Sequence, residues 1–426
     1  MAKVYKKRLA DKMLADKLEA MGAVLIAGPK GCGKTTTAEQ QAKSILYMDD
    51  PEYSDQYKQM AQTNIRFLLQ GETPRLIDEW QNVPKFWDAI RFEVDHRDDD
   101  GQFMLTGSAV PPNSNEIHHT GTARYGWLMM RPMSLWESGD SNGTISLGDL
   151  FNSPKQIGSA CEMILEQLAF LVCRGGWPKS IFKKTEKAAL TQAIEYYEAI
   201  TRADISRVDN VQRDEERAKR LMRSYSRHQG CQASIPTILA DIAVNETADI
   251  SDITVTSYLN ALKKIFVIED MPAWNPNLRS KTAIRTSDTR YFVDPSISCA
   301  ALGLGPMDLM NDLNTFGLFF ETLCVRDLRV YADALDGKVY HYRDKNGLEC
   351  DAVVHLRNGS YGLIEIKLGG DKLIEEGSKN LLSLNEKIDT TKMKAPAFRM
   401  VLTGVGTYAY RRIDGTFVVP IGCLKD

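Results

Sequence analysis

An apolar stretch that runs straight into a glycine-rich loop and then into good helix formers leaves a chain few options. Residues 23–46, AVLIAGPKGCGKTTTAEQQAKSIL, have that form. Ala23 to Ala27 reads as a buried strand. Gly28, Pro29, Lys30, Gly31, Cys32, Gly33, Lys34 and Thr35 then fit GxxxxGK[ST], the P-loop. Glycines there let backbone N–H groups curl around phosphate oxygens, and the start of the following helix adds its dipole. Lys34 is expected to reach the β- and γ-phosphates and the Thr35 hydroxyl to ligate Mg²⁺, with the binding set running on through Thr36. The cofactors this implies are ATP and Mg²⁺.

Such a loop needs a carboxylate at the end of a neighbouring strand, and PRLIDEWQNVP supplies one. Leu76 and Ile77 lead into Asp78, expected in the Mg²⁺ shell, and Glu79, expected to polarise the attacking water. GQFMLTGSA reads as a further buried strand, Phe103 to Leu105, ending in small polar residues. Thr106 or Ser108 there can sense the γ-phosphate or cap the next helix; Ser108 is carried in the binding set.

Composition excludes several classes. At 426 residues the chain is long enough for two to four domains. A net charge of −3 leaves no global positive field, so contact with nucleic acid must come from a local patch. The basic N-terminus, MAKVYKKRLADKM, has no apolar run after it, and no stretch reaches the roughly 18 apolar residues that cross a bilayer. The cysteines form no CxxC pair, which argues against a zinc knuckle and for reduced thiols in a cytoplasm.

The second concentration of signals lies near the C-terminal end. LIEIKL, residues 363–368, places Glu365 and Lys367 on one face of an apolar strand, because side chains alternate. By itself that is a salt bridge at a sheet edge. Its neighbours change the reading. GLFFETLCVRDLRVYA predicts a helix carrying Glu321, and KVYHYRDKNGLECDAVVHL predicts a hairpin turning at Asn346-Gly347 and carrying Asp351. Three carboxylates converging in a partly buried place repel one another unless a cation joins them, and hard oxygen ligands suit Mg²⁺ or Mn²⁺.

The order of P-loop, LIDEWQNVP, FMLTGS and RYGWLMMRPMSLWE resembles the AAA-type ATPases of bacteria and archaea, specifically those ending in a domain related to PD-(D/E)XK nucleases. The likeness runs over essentially the whole chain. GGWPKS (175–180) and EYYEAITRADISR (195–207) sit where such proteins have a GGYPE-like turn and a YxExYxxRDI-like helix. The resemblance implies that Arg124 is either an arginine finger toward a neighbouring subunit or a fixed structural arginine. Arg202 and Asp204 read as an internal ion pair of a helical lid. At the other end, Asp351, Glu365 and Lys367 match the nuclease motif: Asp351 and Glu365 are implied metal ligands, Glu321 completes the shell, and Lys367 orients the attacking water. Cys350 stands where that motif has proline.

Between these parts, RAKRLMRSYSRHQG, SIPTILADIAV and ISDITVTSYLNALKKIFVIED predict three helices and a strand, a winged-helix layout. Acidic residues slightly outnumber basic ones over 211–275, so packing against protein is favoured over reading DNA. The expected architecture is α/β: an AAA-type P-loop ATPase domain with a helical lid (1–208), a winged-helix-like connector (209–278) and a restriction-endonuclease-like domain (279–426). The expected activity is ATP hydrolysis coupled to a nucleic-acid-directed, metal-dependent nuclease-like domain. The alternative is an ATP-driven protein-interaction switch with an inert nuclease-like scaffold. A metabolic kinase is disfavoured, because no acceptor motif follows the P-loop. The expected partners are further copies of the chain in a homo-oligomer, DNA or another nucleic acid, and a protein partner, with no membrane.

Overall fold

The computed structural model describes residues 5–97, 99–108, 121–152, 157–209, 211–243, 250–276 and 287–426. The boundary expected at 278–279 lies outside them. The chain divides into two compact units: one is formed by residues up to Arg131 with 208–210 and 264–266, the other by 132–207, 211–263 and 267–426.

The first unit is built on a five-stranded sheet. Its strands are β1 (Ala23–Ala27), β2 (Ser44–Tyr47), β3 (Arg75–Asp78), β4 (Phe103–Gly107) and β5 (Tyr125–Met129), in the spatial order β2-β3-β4-β1-β5. Every pairing is parallel. All five residues of β1 and of β4 are buried, which is why β1 and the first three residues of β4 read as apolar runs rather than alternating ones. One face packs on a cluster of Trp80, Phe86, Trp87 and Tyr125, with the Trp87 and Tyr125 rings stacked at 3.9 Å. Trp80, directly after the Asp78-Glu79 pair, is thus core.

The second unit is organised by a seven-stranded sheet ordered β7-β12-β13-β11-β10-β9-β8. Its strands are β7 (Ser159–Ala160), β8 (Gly337–Arg343), β9 (Glu349–Leu356), β10 (Tyr361–Lys367), β11 (Phe398–Thr403), β12 (Tyr408–Arg411) and β13 (Phe417–Pro420). A small separate sheet pairs β6 (Ile145–Ser146) with β14 (Leu424–Lys425). The expected hairpin is β8–β9, turning with Gly347 at φ 83°, and the helix carrying Glu321 runs from Leu313 to Ala334. The three helices expected after residue 211 span Glu215–Arg227, Ile235–Ala243 and Asp252–Lys264. Ser234 accepts the Thr237 N–H at the start of the second, as its cap position requires. Antiparallel bridges join Ile268 to Phe292 and Met271 to Thr289. Arg202 pairs with Glu198 at 2.9 Å and Glu215 at 3.3 Å instead of with Asp204, because carboxylates one helical turn away and on the adjacent helix face it.

A buried charge cluster ties this unit together. Arg326 lies between Asp294, at 2.9 Å, and Asp327, to which its Nε donates at 2.8 Å, and all three are essentially unexposed. Asp294 also accepts the Gly176 and Ser296 N–H groups, and Asp327 accepts the N–H of Leu135. The GGWPKS turn is therefore a docking point: a Cβ on Gly176 would come within 2.2 Å of the Met133 carbonyl oxygen. Replacing Arg326 with Met leaves two buried carboxylates without a cation and is expected to cost about 3–5 kcal/mol. Urea unfolding of the full chain checks this. Adding Asp327→Asn to the Arg326→Met protein is expected to recover part of the loss.

Candidate functional site

The parallel register brings the ends of β1, β3 and β4 level, with Asp78 opposite Thr106 and Ala27 opposite Gly107. The P-loop leaves the end of β1. Gly28, Gly31 and Gly33 have φ of 154°, 76° and 105°, values that other residues rarely adopt. At Gly28 space matters as well, since a Cβ would lie 2.0 Å from the Met130 carbonyl oxygen. Lys34 begins the helix Lys34–Glu39, is 6% exposed and donates to the carbonyls of Gly28 and Pro29, both at 2.9 Å. Its ammonium thus lies folded over the loop, where a phosphate would offer better acceptors.

Thr35 Oγ1 donates to Asp78 Oδ1 at 2.8 Å, and the Thr106 hydroxyl donates to the same oxygen. The hydroxyl facing the acid at the strand ends is therefore that of Thr106; Ser108, the other candidate, lies half-buried just beyond β4. Burial pushes the Asp78 carboxyl up, against the two hydroxyls that hold it down. Glu79 follows in the left-handed region, at φ 53°, and is also pushed up, first by burial and then by the charge of Asp78. The Gln81 amide donates to Glu79 Oε2 at 2.5 Å. A hydroxyl and a carboxylate in contact beside a glycine-lined loop are hard oxygen donors that fit Mg²⁺.

Arg124 stands elsewhere. It immediately precedes β5, which runs parallel to β1, so it lies at the strand starts while the P-loop lies at the strand ends. Five residues of strand put the two about 15 Å apart. Its guanidinium is paired with Asp95 at 2.7 Å. Arg124 therefore does not face the phosphate loop of its own chain.

In the second unit, β10 carries Glu365 and Lys367 on the face covered by the helix Asp371–Lys387. That helix passes with Gly377 over the pair: a Cβ there would be 3.3 Å from Glu365 Cβ. The β9–β10 ladder ends at Ala352 and Ile364, and beyond it the Asp351 carboxylate accepts the free Ile366 N–H at 2.7 Å. Lys367 Nζ then lies 2.7 Å from Glu365 and 3.1 Å from Asp351. Glu321 approaches from its helix and accepts the Tyr291 hydroxyl. Cys350 fills the strand, its thiol donating to the Ile364 carbonyl. The structure thus brings Glu321, Asp351, Glu365 and Lys367 together.

One ammonium serves more than one acid. Glu365, 1% exposed, is pushed up to about 8 by burial and by Asp351, and Glu321 to about 8 by the same two causes. Burial works against the charge of Lys367, but Asp351 and Glu365 outweigh it and raise its pKa. Among the described residues Glu365 Oε1 meets no hydrogen-bond partner of ordinary geometry, although the Asn380 side chain favours the charged form of the carboxyl. Even so, among the described residues no three His, Cys, Asp or Glu side chains stand close enough together to hold a metal ion. As they stand, these acids do not fit a divalent cation, because Lys367 is the cation between two of them.

Sequence patterns did not single out Arg8, whose guanidinium donates to the carbonyls of Cys32 and Arg131, nor Tyr291. Each contact joins residues far apart in the chain, which spacing alone does not reveal.

The description "AAA domain" matches residues 21–138. Two domains of unknown function, DUF8612 and DUF4143, match residues 165–308 and 316–424. The uncharacterized proteins Mb2031c of Mycobacterium bovis and Rv2008c of Mycobacterium tuberculosis are each 22% identical over 381 residues, 89% of this chain and 78% of theirs. Among solved structures, the Walker-type ATPase PABY2304 of Pyrococcus abyssi aligns with a TM-score of 0.44 at 11% identity, over 70% of this chain and 96% of that one. The Orc1 protein of Aeropyrum pernix in complex with DNA aligns with a TM-score of 0.22 at 12% identity, over 70% and 92%. The AAA match and the loop geometry together define a P-loop ATPase domain of AAA type in the first unit. No helix among the described residues is long and apolar enough to cross a membrane.

The raised acids make stability depend on pH. A carboxyl held near 8 when folded and near 4.3 when unfolded stabilises the fold fully below the lower value and loses that contribution as pH rises through the upper one. With a chelator present, the melting temperature of the wild-type chain is expected to fall between about pH 5 and pH 8. Glu365→Gln, which cannot ionise, is expected to flatten that fall in thermal scans.

Proposed function

We propose that this chain binds and hydrolyses ATP in its first unit and couples turnover to a nuclease-like domain, directed at nucleic acid, in its second. The observation that carries the ATPase part is the cradle itself: Lys34 poised over the loop, with Thr35 and Thr106 meeting on Asp78. In this reading Lys34 leaves its two carbonyls for the β- and γ-phosphates, and the loop N–H groups from Lys30 to Thr36 hold their oxygens. Mg²⁺, held by Thr35 and Asp78, neutralises phosphate charge when bound. Glu79, buried and oriented by Gln81, accepts hydrogen from the attacking water. Arg124, at the far ends of the strands and on the surface, suits contact with a neighbouring copy of the chain or a structural role through Asp95.

What supports a nuclease-like second unit is the order of its elements. The helix Leu313–Ala334, three antiparallel strands β8–β9–β10, the helix Asp371–Lys387 and parallel β11 follow one another, with Asp351, Glu365 and Lys367 on the central strands. Three helices followed by antiparallel bridges support the winged-helix reading before it. One observation favours the second reading, an inert scaffold in a switch that ATP times for a protein partner: Lys367 already neutralises the acids.

Lys34→Ala is expected to reduce ATP turnover at least about a hundredfold and to weaken nucleotide binding, and Glu79→Gln to bind ATP while turning over on the order of 10²–10⁴ times more slowly. Wild-type turnover in Lys34→Ala refutes the site. Calorimetry of the full chain with Mn²⁺ separates the readings. A saturable isotherm beyond the ATP site, lost in Asp351→Ala and Glu365→Ala, supports a metal-dependent domain. A flat one, together with ATP turnover indifferent to added DNA, supports the scaffold.

A further inference from the structure

For a P-loop to hold phosphate, its N–H groups must turn inward, so its carbonyls turn outward and need donors of their own. The Cys32 carbonyl has one. Arg8 Nη1 donates to it at 2.8 Å, while Nη2 of the same guanidinium donates to the Arg131 carbonyl at 2.9 Å. Arg8 is 7% exposed and lies at the start of the helix Leu9–Ala20, outside the matched segment 21–138.

The contact is part of a wider clamp. The Arg8 N–H donates to Asp11 Oδ2 at 2.9 Å, and the Tyr5 hydroxyl bridges Asp11 and Thr37, the latter at 3.1 Å. Gln41 donates to the Asp11 carbonyl at 2.7 Å. Residues 5–11 therefore grip the loop at Cys32 and the segment after it at Thr37 and Gln41. On its other side the loop rests on the end of β5, where Gly28 packs against the Met130 carbonyl and the Cys32 thiol points to the same oxygen at 3.5 Å. Arg8 joins these two sides. Only a planar fork spans two carbonyls in fixed directions; an ammonium is a single point charge.

We infer that Arg8 is a positioning residue of the nucleotide site, which sets the P-loop backbone for phosphate through the Cys32 carbonyl and locks it to the end of β5. It touches no phosphate itself. The inference rests on the ATP-binding reading above.

The test compares wild type, Arg8→Gln, Arg8→Lys and Lys34→Ala as full chains, measuring KM for ATP, kcat and melting temperature. Arg8→Gln is expected to raise KM roughly tenfold or more, the worth of a charge-assisted hydrogen bond, with a smaller change in kcat. Amide exchange at residues 30–36 is expected to quicken without nucleotide and to slow again at saturating ATP. Arg8→Lys is expected to recover part of the KM. A merely structural arginine predicts a lower melting temperature with wild-type KM and kcat, and that result overturns the inference. If Arg8→Gln does not fold, Arg8→Lys decides: a KM raised about threefold supports the role, and an unchanged KM overturns it. Failure of the underlying reading looks different, with wild type and Lys34→Ala equally unable to bind ATP, and it overturns both.

Discussion

A carboxylate taken out of water must be met by hydrogen bonds or a cation, or it does not stay charged. Both units are arranged around that constraint. In the first, Asp78 is buried at the end of β3 and met by two threonine hydroxyls, one from the loop and one from β4. That contact holds the loop helix against the sheet. In the second, Asp294 and Asp327 are met by Arg326, and Glu365 is met by a lysine that it shares with Asp351. The difference between these solutions is chemical. Hydroxyls give way readily to a metal-bound phosphate, whereas a guanidinium locked between two acids has nowhere to go. One cluster is open to exchange and the other is fixed.

The elements legible in the sequence are those with local signals. The P-loop was readable because its chemistry, its glycines and its flanking strand and helix all lie within 24 residues. Asp78 and Glu79 were readable because an apolar strand ends there. The β8–β9 hairpin announced itself by Asn346-Gly347, and β10 by a pair of charges in an apolar run. Glu321 was harder, since it depended on a helix whose register relative to β10 is set only by packing.

What could not be read came from distance. Nothing in GGWPKS states that Gly176 must pass under a carbonyl and donate to an aspartate 118 residues later. Arg8 looked like one more cation in a basic N-terminal stretch; only its burial beside Cys32 gives it a role. Trp80 follows two catalytic candidates in the chain, yet it is simply part of a core. Thr106 and Ser108 were equivalent by composition, and strand register separated them, because alignment with Asp78 falls on the first. That Glu321, Asp351 and Glu365 meet was legible from their motif, but where the ammonium of Lys367 settles among them was not, because that depends on packing.

The pairing of β6 with β14 carries a consequence for synthesis. Ile145 meets Leu424, and Ser141 donates to the Leu424 carbonyl across 283 residues. β7 likewise waits for β12, so the segment from about 141 to 160 has its strand partners only after the rest of the unit has been made. At roughly 5–20 residues per second that delay lasts some tens of seconds. The strands of the first unit, by contrast, all find their neighbours within the first 129 residues. A nascent chain can therefore pair the whole sheet of its nucleotide-binding unit while Leu135, Leu147 and Leu150, all buried in the final fold, are still uncovered. Those leucines go without their native cover for longer than any strand of the first unit does.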